Sequence, residues 1–241
     1  MIDPDIAQWA LIILIVFIGS AIQGVIGYGV GLFSAPLLFL IEPALVPAPL
    51  IIIGGILPLL VLRANLTAVV PRDLAVALPA GVLGVVGAWL MAGLLPVALW
   101  QQLFGVMILI AVAASVLRLR IQPTAPAVFV SSLLSGWMGT ISGVGGPPLG
   151  VVYQHAEPAR VRGTLSAIFV PMSVVTLIAL YFMERLGWRE VWLAVFMLPA
   201  VFAGFACARR WGARIPRQMF RVVALGTALV AGAYAALSGF V

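Results

Sequence analysis

The sequence contains no lysine, one cysteine and one histidine, and only 8% of its 241 residues are charged. Each scarcity excludes something. Without lysine there is no Walker-type phosphate loop, so this chain alone encodes no ATP-driven pump. Cys207 alone can form neither an internal disulfide nor a multi-cysteine metal site. His155 alone excludes a histidine cluster and leaves no Ser/His/Asp set. No catalytic constellation, metal site or cofactor is therefore expected, and the chain does not read as an enzyme. A soluble domain carries about 25% charged residues. The low charge here excludes a cytosolic enzyme, a disordered chain and a nucleic-acid module.

What is abundant is apolar. Hydrophobic residues make up 64% of the chain, and the mean hydropathy is +1.23. The expected partner is the lipid bilayer. The net charge of +6 comes from 13 arginines in short loops, which reads as membrane topology rather than polyanion binding. The acidic start, Met1-Ile2-Asp3-Pro4-Asp5, is unlike a secretory signal, so the first apolar stretch is expected to be retained.

One crossing needs about 20 apolar residues. Spans are expected at 45–62, 73–94, 97–117, 163–184, 190–208 and 218–238. The stretches 9–41 and 124–156 are too long for one crossing and carry interior glycines and prolines. Each is read as a broken or re-entrant helical hairpin, with arms of about 16–18 and 9–10 residues. Arg63, Arg72, Arg118, Arg120, Arg160, Arg162, Arg209, Arg210, Arg214, Arg217 and Arg221 then share one side, expected to be cytoplasmic. Both termini are expected outside. Trp100, Trp188, Trp192 and Trp211 read as an interfacial belt.

The two long stretches resemble each other. A shift of 112 positions brings Gly24 onto Gly136, Gly27 onto Gly139, Gly31 onto Gly143 and Pro36 onto Pro148. A shift of 120 brings Pro79 onto Pro199, Gly84 onto Gly204 and Pro96 onto Pro216. The chain is thus read as all-α and polytopic, with two repeats, 1–120 and 121–241, in one membrane domain. Each repeat is a hairpin plus three spans. Three crossings invert the second copy, the arrangement in which secondary transporters place broken helices at a central substrate site.

The breaks are Gln23-Gly24-Val25-Ile26-Gly27-Tyr28-Gly29-Val30-Gly31 and Ser135-Gly136-Trp137-Met138-Gly139-Thr140-Ile141-Ser142-Gly143-Val144-Gly145-Gly146-Pro147-Pro148. Gly-Gly-Pro-Pro suits a loop opening a half-helix, and free N–H groups at a helix start attract anions. The candidate binding residues are Gln23, Gly27, Tyr28, Gly29, Gly31, Thr140, Ser142, Gly143, Gly145, Gly146 and Pro147, for a small oxyanion. The plainer reading is that the glycines only permit close helix packing. Ser20, Ser34, Ser131, Ser132, Ser173 and Thr176 read as interhelical hydrogen bonding. Glu42, His155 and Glu157 are candidates for proton coupling, or simply interfacial caps.

Gly27-Tyr28-Gly29-Val30-Gly31-Leu32 with Ala35-Pro36-Leu37-Leu38, and Gly143-Val144-Gly145-Gly146-Pro147-Pro148, resemble the motifs of the sulfite/sulfonate exporter (TauE/SafE) family. That resemblance implies a bacterial inner-membrane transporter of a small sulfur-containing anion such as sulfite, a sulfonate or sulfoacetate. Alternating access between the hairpin tips is the expected mechanism. A passive anion channel and a non-transporting membrane scaffold are the alternatives.

Overall fold

The computed structural model describes residues 4–92, 94, 97–116 and 121–211, with 222, 225–230, 232 and 233. The expected last span, 218–238, lies largely outside them. So do Asp3, Pro96, Arg118, Arg120, Arg214, Pro216, Arg217 and Arg221, and nothing is said of the side chain of Trp100.

The described secondary structure is all helical: α1 (Ile6–Ile26), α2 (Val30–Ile41), α3 (Ala48–Arg63), α4 (Pro71–Ala92), α5 (Val97–Val116), α6 (Ala125–Ser142), α7 (Gly146–Tyr153), α8 (Pro158–Phe182) and α9 (Trp188–Trp211). Among the described residues, six segments are long and apolar enough to cross a membrane: α1, α4, α6, α8, α9, and α3 with the tight turn at Pro43–Leu45 that precedes it.

Both long apolar stretches are broken, as their length requires. α1 starts at a capping box in which Asp5 and Gln8 each accept the other's backbone N–H. It ends at Gly27, whose left-handed backbone (φ 97°) turns the chain out of the helix. α6 ends the same way at Gly143 (φ 71°). The arms differ in length from expectation. The first hairpin has arms of 21 and 12 residues, the second 18 and 8. α1 begins three residues before 9 because the Asp5 cap, not the apolar pattern, sets its start.

The two left-handed ends, Gly27 and Gly143, are 116 positions apart, four more than the shift that matches glycines by identity. The difference of four is about one helical turn. The shift that matches glycines by identity pairs Gly27 with Gly139, a residue inside α6.

The outside of the molecule is apolar: Leu83, Leu90, Ile178 and Phe196 are all exposed. The interior holds polar side chains, among them Gln23, Asp73, Ser132, Ser135 and Thr176. This is the distribution expected of a chain solvated by lipid. Within it, α1 packs on α9, α4 on α6 and α3 on α8. Glycines permit the closest approaches. Gly84 of α4 lies against the Leu133 carbonyl and Trp137 N–H of α6, and Gly204 of α9 against the Phe17 carbonyl and Ala21 N–H of α1. The loop 64–70 touches Gly163 of α8, the end of α1 touches Arg162, and Gly24 touches Ala208 of α9. Arg63, Arg72, Arg160, Arg162, Arg209 and Arg210 therefore gather at one end of the molecule. Arg185 and Arg189 lie in or beside the turn that joins α8 to α9.

Candidate substrate site between the helix breaks

The two breaks meet. Gly31, in the first turn of α2, lies against the Gly143 carbonyl and Val144 Cα, so closely that a Cβ would not fit. The Tyr28 ring lies over Gly146 and Gly150 of α7; a Cβ on Gly146 would stand 3.1 Å from the Tyr28 Cβ. Around this junction is a cavity of about 110 Å³. That is room for several waters, or for one small oxyanion.

Each break is held by its own chemistry. Gln23 is buried, and its Oε1 accepts the Val30 N–H at 3.0 Å, so a side chain of α1 caps the start of α2. The N–H groups of Gly31 and Leu32 belong to the same first turn, and both residues line the cavity. In the second break Pro147 and Pro148 occupy the first turn of α7 and carry no N–H. Donors there come from Gly145 and Gly146, both in the cavity wall. The Ser135 hydroxyl donates to the Gly145 carbonyl and ties the two arms together.

Of the residues expected to bind, Gln23, Tyr28, Gly29, Gly31, Gly143, Gly145, Gly146 and Pro147 line this cavity. Gly27, Thr140 and Ser142 do not. Gly27 faces Arg162. The Thr140 hydroxyl donates to the Gly136 carbonyl at 2.8 Å, and Ser142 donates to Met138 at 2.8 Å while accepting from Val144 N–H. Both hydroxyls are spent inside α6 and its end. Glu42, His155 and Glu157 also lie away from the cavity lining. Glu42 caps the turn that follows it, accepting from Ala44 N–H at 3.1 Å, and His155 and Glu157 are exposed.

Three hydroxyl residues assigned above to interhelical bonding, Ser132, Ser173 and Thr176, line the cavity instead. Ser132 is 1% exposed, and among the described residues its Oγ has no hydrogen-bond partner. A buried, unpartnered hydroxyl costs free energy unless something in the cavity meets it. The remaining wall is apolar: Leu50, Ile51, Ile168, Phe169 and Met172. Among the described residues, Tyr28 is the only ionisable one in the lining. A charge accommodated here is met, among the described lining residues, by backbone, hydroxyl and the Gln23 amide dipoles.

A further polar cluster went unread in the sequence. Asp73, in the first turn of α4, is buried, and its Oδ2 accepts from the Tyr153 hydroxyl at 2.7 Å and from Arg160 at 3.3 Å. It joins the starts of α4 and α8 to the end of α7.

Comparison with known families gives one finding. The family model described as sulfite exporter TauE/SafE matches residues 11–235. No curated protein and no solved structure matches the chain.

Proposed function

The chain belongs to the TauE/SafE sulfite exporter family, and from that premise we propose that it exports a small sulfur-containing oxyanion, such as sulfite, a sulfonate or sulfoacetate, across a bacterial inner membrane. It is a multi-pass membrane protein, and its family consists of transporters. The single observation that carries the substrate reading is the meeting of two helix breaks around one cavity, with the first turns of α2 and α7 both in its wall. First-turn N–H groups and the positive ends of two helices favour an anion. Unwound backbone at membrane depth fits only where protein or a cavity surrounds it. Neutral donors bind less tightly than paired charges would, which suits a site that must release its cargo.

Alternating access by two inverted repeats is the proposed mechanism. In its support, each hairpin's long arm packs on a helix of the other half: α1 on α9, α6 on α4. Gly84 approaches Leu133 and Trp137, and Gly204, 120 positions on, approaches Phe17 and Ala21; the two sets of partners are 116 positions apart, as Gly27 and Gly143 are. With the arginine-bearing end in the cytoplasm, the membrane potential favours exit of an anion by about 2.3 kcal/mol per charge per 100 mV.

The test is sulfite flux in proteoliposomes with a counterflow arm. Accumulation of labelled sulfite against excess unlabelled sulfite on the other side supports the carrier. Flux without counterflow replaces it with a passive channel. No flux of sulfite, isethionate, sulfoacetate or taurine overturns the transport reading.

A further inference from the structure

The structure assigns a second anion-binding site to the arginine-bearing end: a vestibule lined by Arg72 and Arg160, in which Asp73 is a built-in competitor for the arriving oxyanion. Its role in transport rests on the function proposed above; its binding chemistry does not.

A cavity of about 440 Å³ opens beside the Asp73 cluster, lined by Arg72, Asp73, Thr124, Ala125, Val128 and Arg160 among others. The two guanidiniums outnumber the one carboxylate. Arg72 is exposed and, among the described residues, pairs with no carboxylate. Arg160 reaches Asp73 through one nitrogen only, while its buried Nε has no partner among the described residues. Three helices, α4, α6 and α8, begin at this place. α6 and α8 have no side-chain cap at their starts: neither Thr124 nor Glu157 accepts a first-turn N–H. Uncapped helix starts, unspent guanidinium donors and open volume together fit a small oxyanion.

The vestibule is in line with the central cavity. Asp73 and Gly81 lie eight residues apart on one face of α4, about 12 Å along the helix. Val128 and Ser132 lie one turn apart on α6, and Arg160 and Ile168 two turns apart on α8. The first of each pair lines the vestibule and the second the central cavity. Between the two levels Ala77, Leu149 and Leu165 are fully buried and close the way. An oxyanion in the vestibule takes Arg160 from Asp73, and Asp73 keeps Tyr153 as its donor. Asp73 thus weakens the vestibule for anions by occupying one of its two charges.

The experiment is equilibrium binding of sulfite and of sulfate to the detergent-purified full chain, read by thermal stabilisation and repeated at high salt. Arg72→Gln is expected to weaken binding about fivefold, the worth of one partly exposed charge-assisted contact, and Arg160→Gln more. Asp73→Asn is expected to tighten it severalfold, a sign that loss of a merely structural carboxylate would not give. Arg72→Glu, at an exposed position where folding is not at stake, should abolish the salt-sensitive component of binding and leave that of the central cavity. Wild-type affinity in Arg72→Glu and Arg160→Gln, or no binding to the wild type, overturns the vestibule. Weaker binding in Asp73→Asn overturns the competitor role. If binding follows the arginines while wild-type vesicles move no sulfite, the vestibule stands and the transport reading falls. If sulfite moves and the arginine variants bind as the wild type does, the reverse holds.

Discussion

The two helix breaks meet in the middle of the protein, yet each satisfies its loose backbone groups by a different route. The first adds an acceptor: Gln23 reaches across from α1 to take the Val30 N–H. The second removes donors: Pro147 and Pro148 supply no N–H at positions where a helix start leaves them unsatisfied. Its added side-chain bond goes the other way, from the Ser135 hydroxyl to the Gly145 carbonyl. A helix start is therefore built once with a capping amide and once with imino acids. The donors that remain are equal in number but differ in place: α2 presents Gly31 and Leu32 behind its capped first residue, whereas α7 presents Gly145 at its cap and Gly146 at its first position.

The comparison is broken most strongly where the breaks touch. Gly31→Ala puts a Cβ into the Gly143 carbonyl. Sulfite flux in proteoliposomes should fall at least about tenfold, with a loss of stability of about 1–3 kcal/mol from overpacking. Gly87→Ala is the control, since its Cβ would meet only Trp137 Cδ1 at 3.9 Å and Gly87 is not among the cavity-lining residues. Equal flux in the two variants would mean that the breaks need not meet. Next come the two solutions themselves. Gln23→Leu leaves the buried Val30 N–H unsatisfied and should cost about 1–3 kcal/mol, measured by denaturation in detergent. Gln23→Glu keeps the acceptor and should recover part of that loss. Ser135→Ala should cost less, about 1 kcal/mol, because a carbonyl tolerates a lost partner better than an N–H does. A larger effect at Ser135 than at Gln23 would reverse the assignment of which break is the better held.

How far these differences were legible in the sequence follows from what each depends on. The breaks themselves were legible because a 33-residue apolar run such as 9–41 cannot lie straight in a bilayer, and glycine and proline mark where it yields. The spacing of the two breaks was not. Aligning by residue identity matches glycine to glycine at a shift of 112, whereas the left-handed helix ends at Gly27 and Gly143 fall 116 positions apart. The stripe Ser132, Ser135, Gly136, Gly139 has helical spacing and could have been read as one cavity-facing side of α6. Asp73 gave no such signal. An acidic residue in a first turn is ordinary, and nothing local announces a tyrosine 80 positions away as its donor.

Two smaller effects sharpen the picture. Tyr28→Phe keeps the ring over Gly146 and Gly150 and removes only the hydroxyl. The half-saturating sulfite concentration should rise about threefold if that hydroxyl meets the anion. Wild-type saturation would assign Tyr28 to packing alone. Smallest of all, Glu42→Gln and Glu157→Gln should leave the pH profile of flux unchanged, because neither side chain is in the cavity wall. A displaced profile would restore them as proton carriers.

The clasp of Gly204 on α1 and Gly84 on α6 has a consequence for how the chain is made. Each half holds its hairpin against a helix of the other half, so neither half contains its own packing partner. A chain inserted from its N-terminus places α1 in lipid long before α9 exists, and α4 before α6. The wait is tolerable because small residues lose little against lipid tails that are themselves apolar. Assembly then proceeds backwards in part, with the last helices of the chain completing the first. Two separately synthesised fragments, divided between α5 and α6, should each be degraded alone and accumulate together.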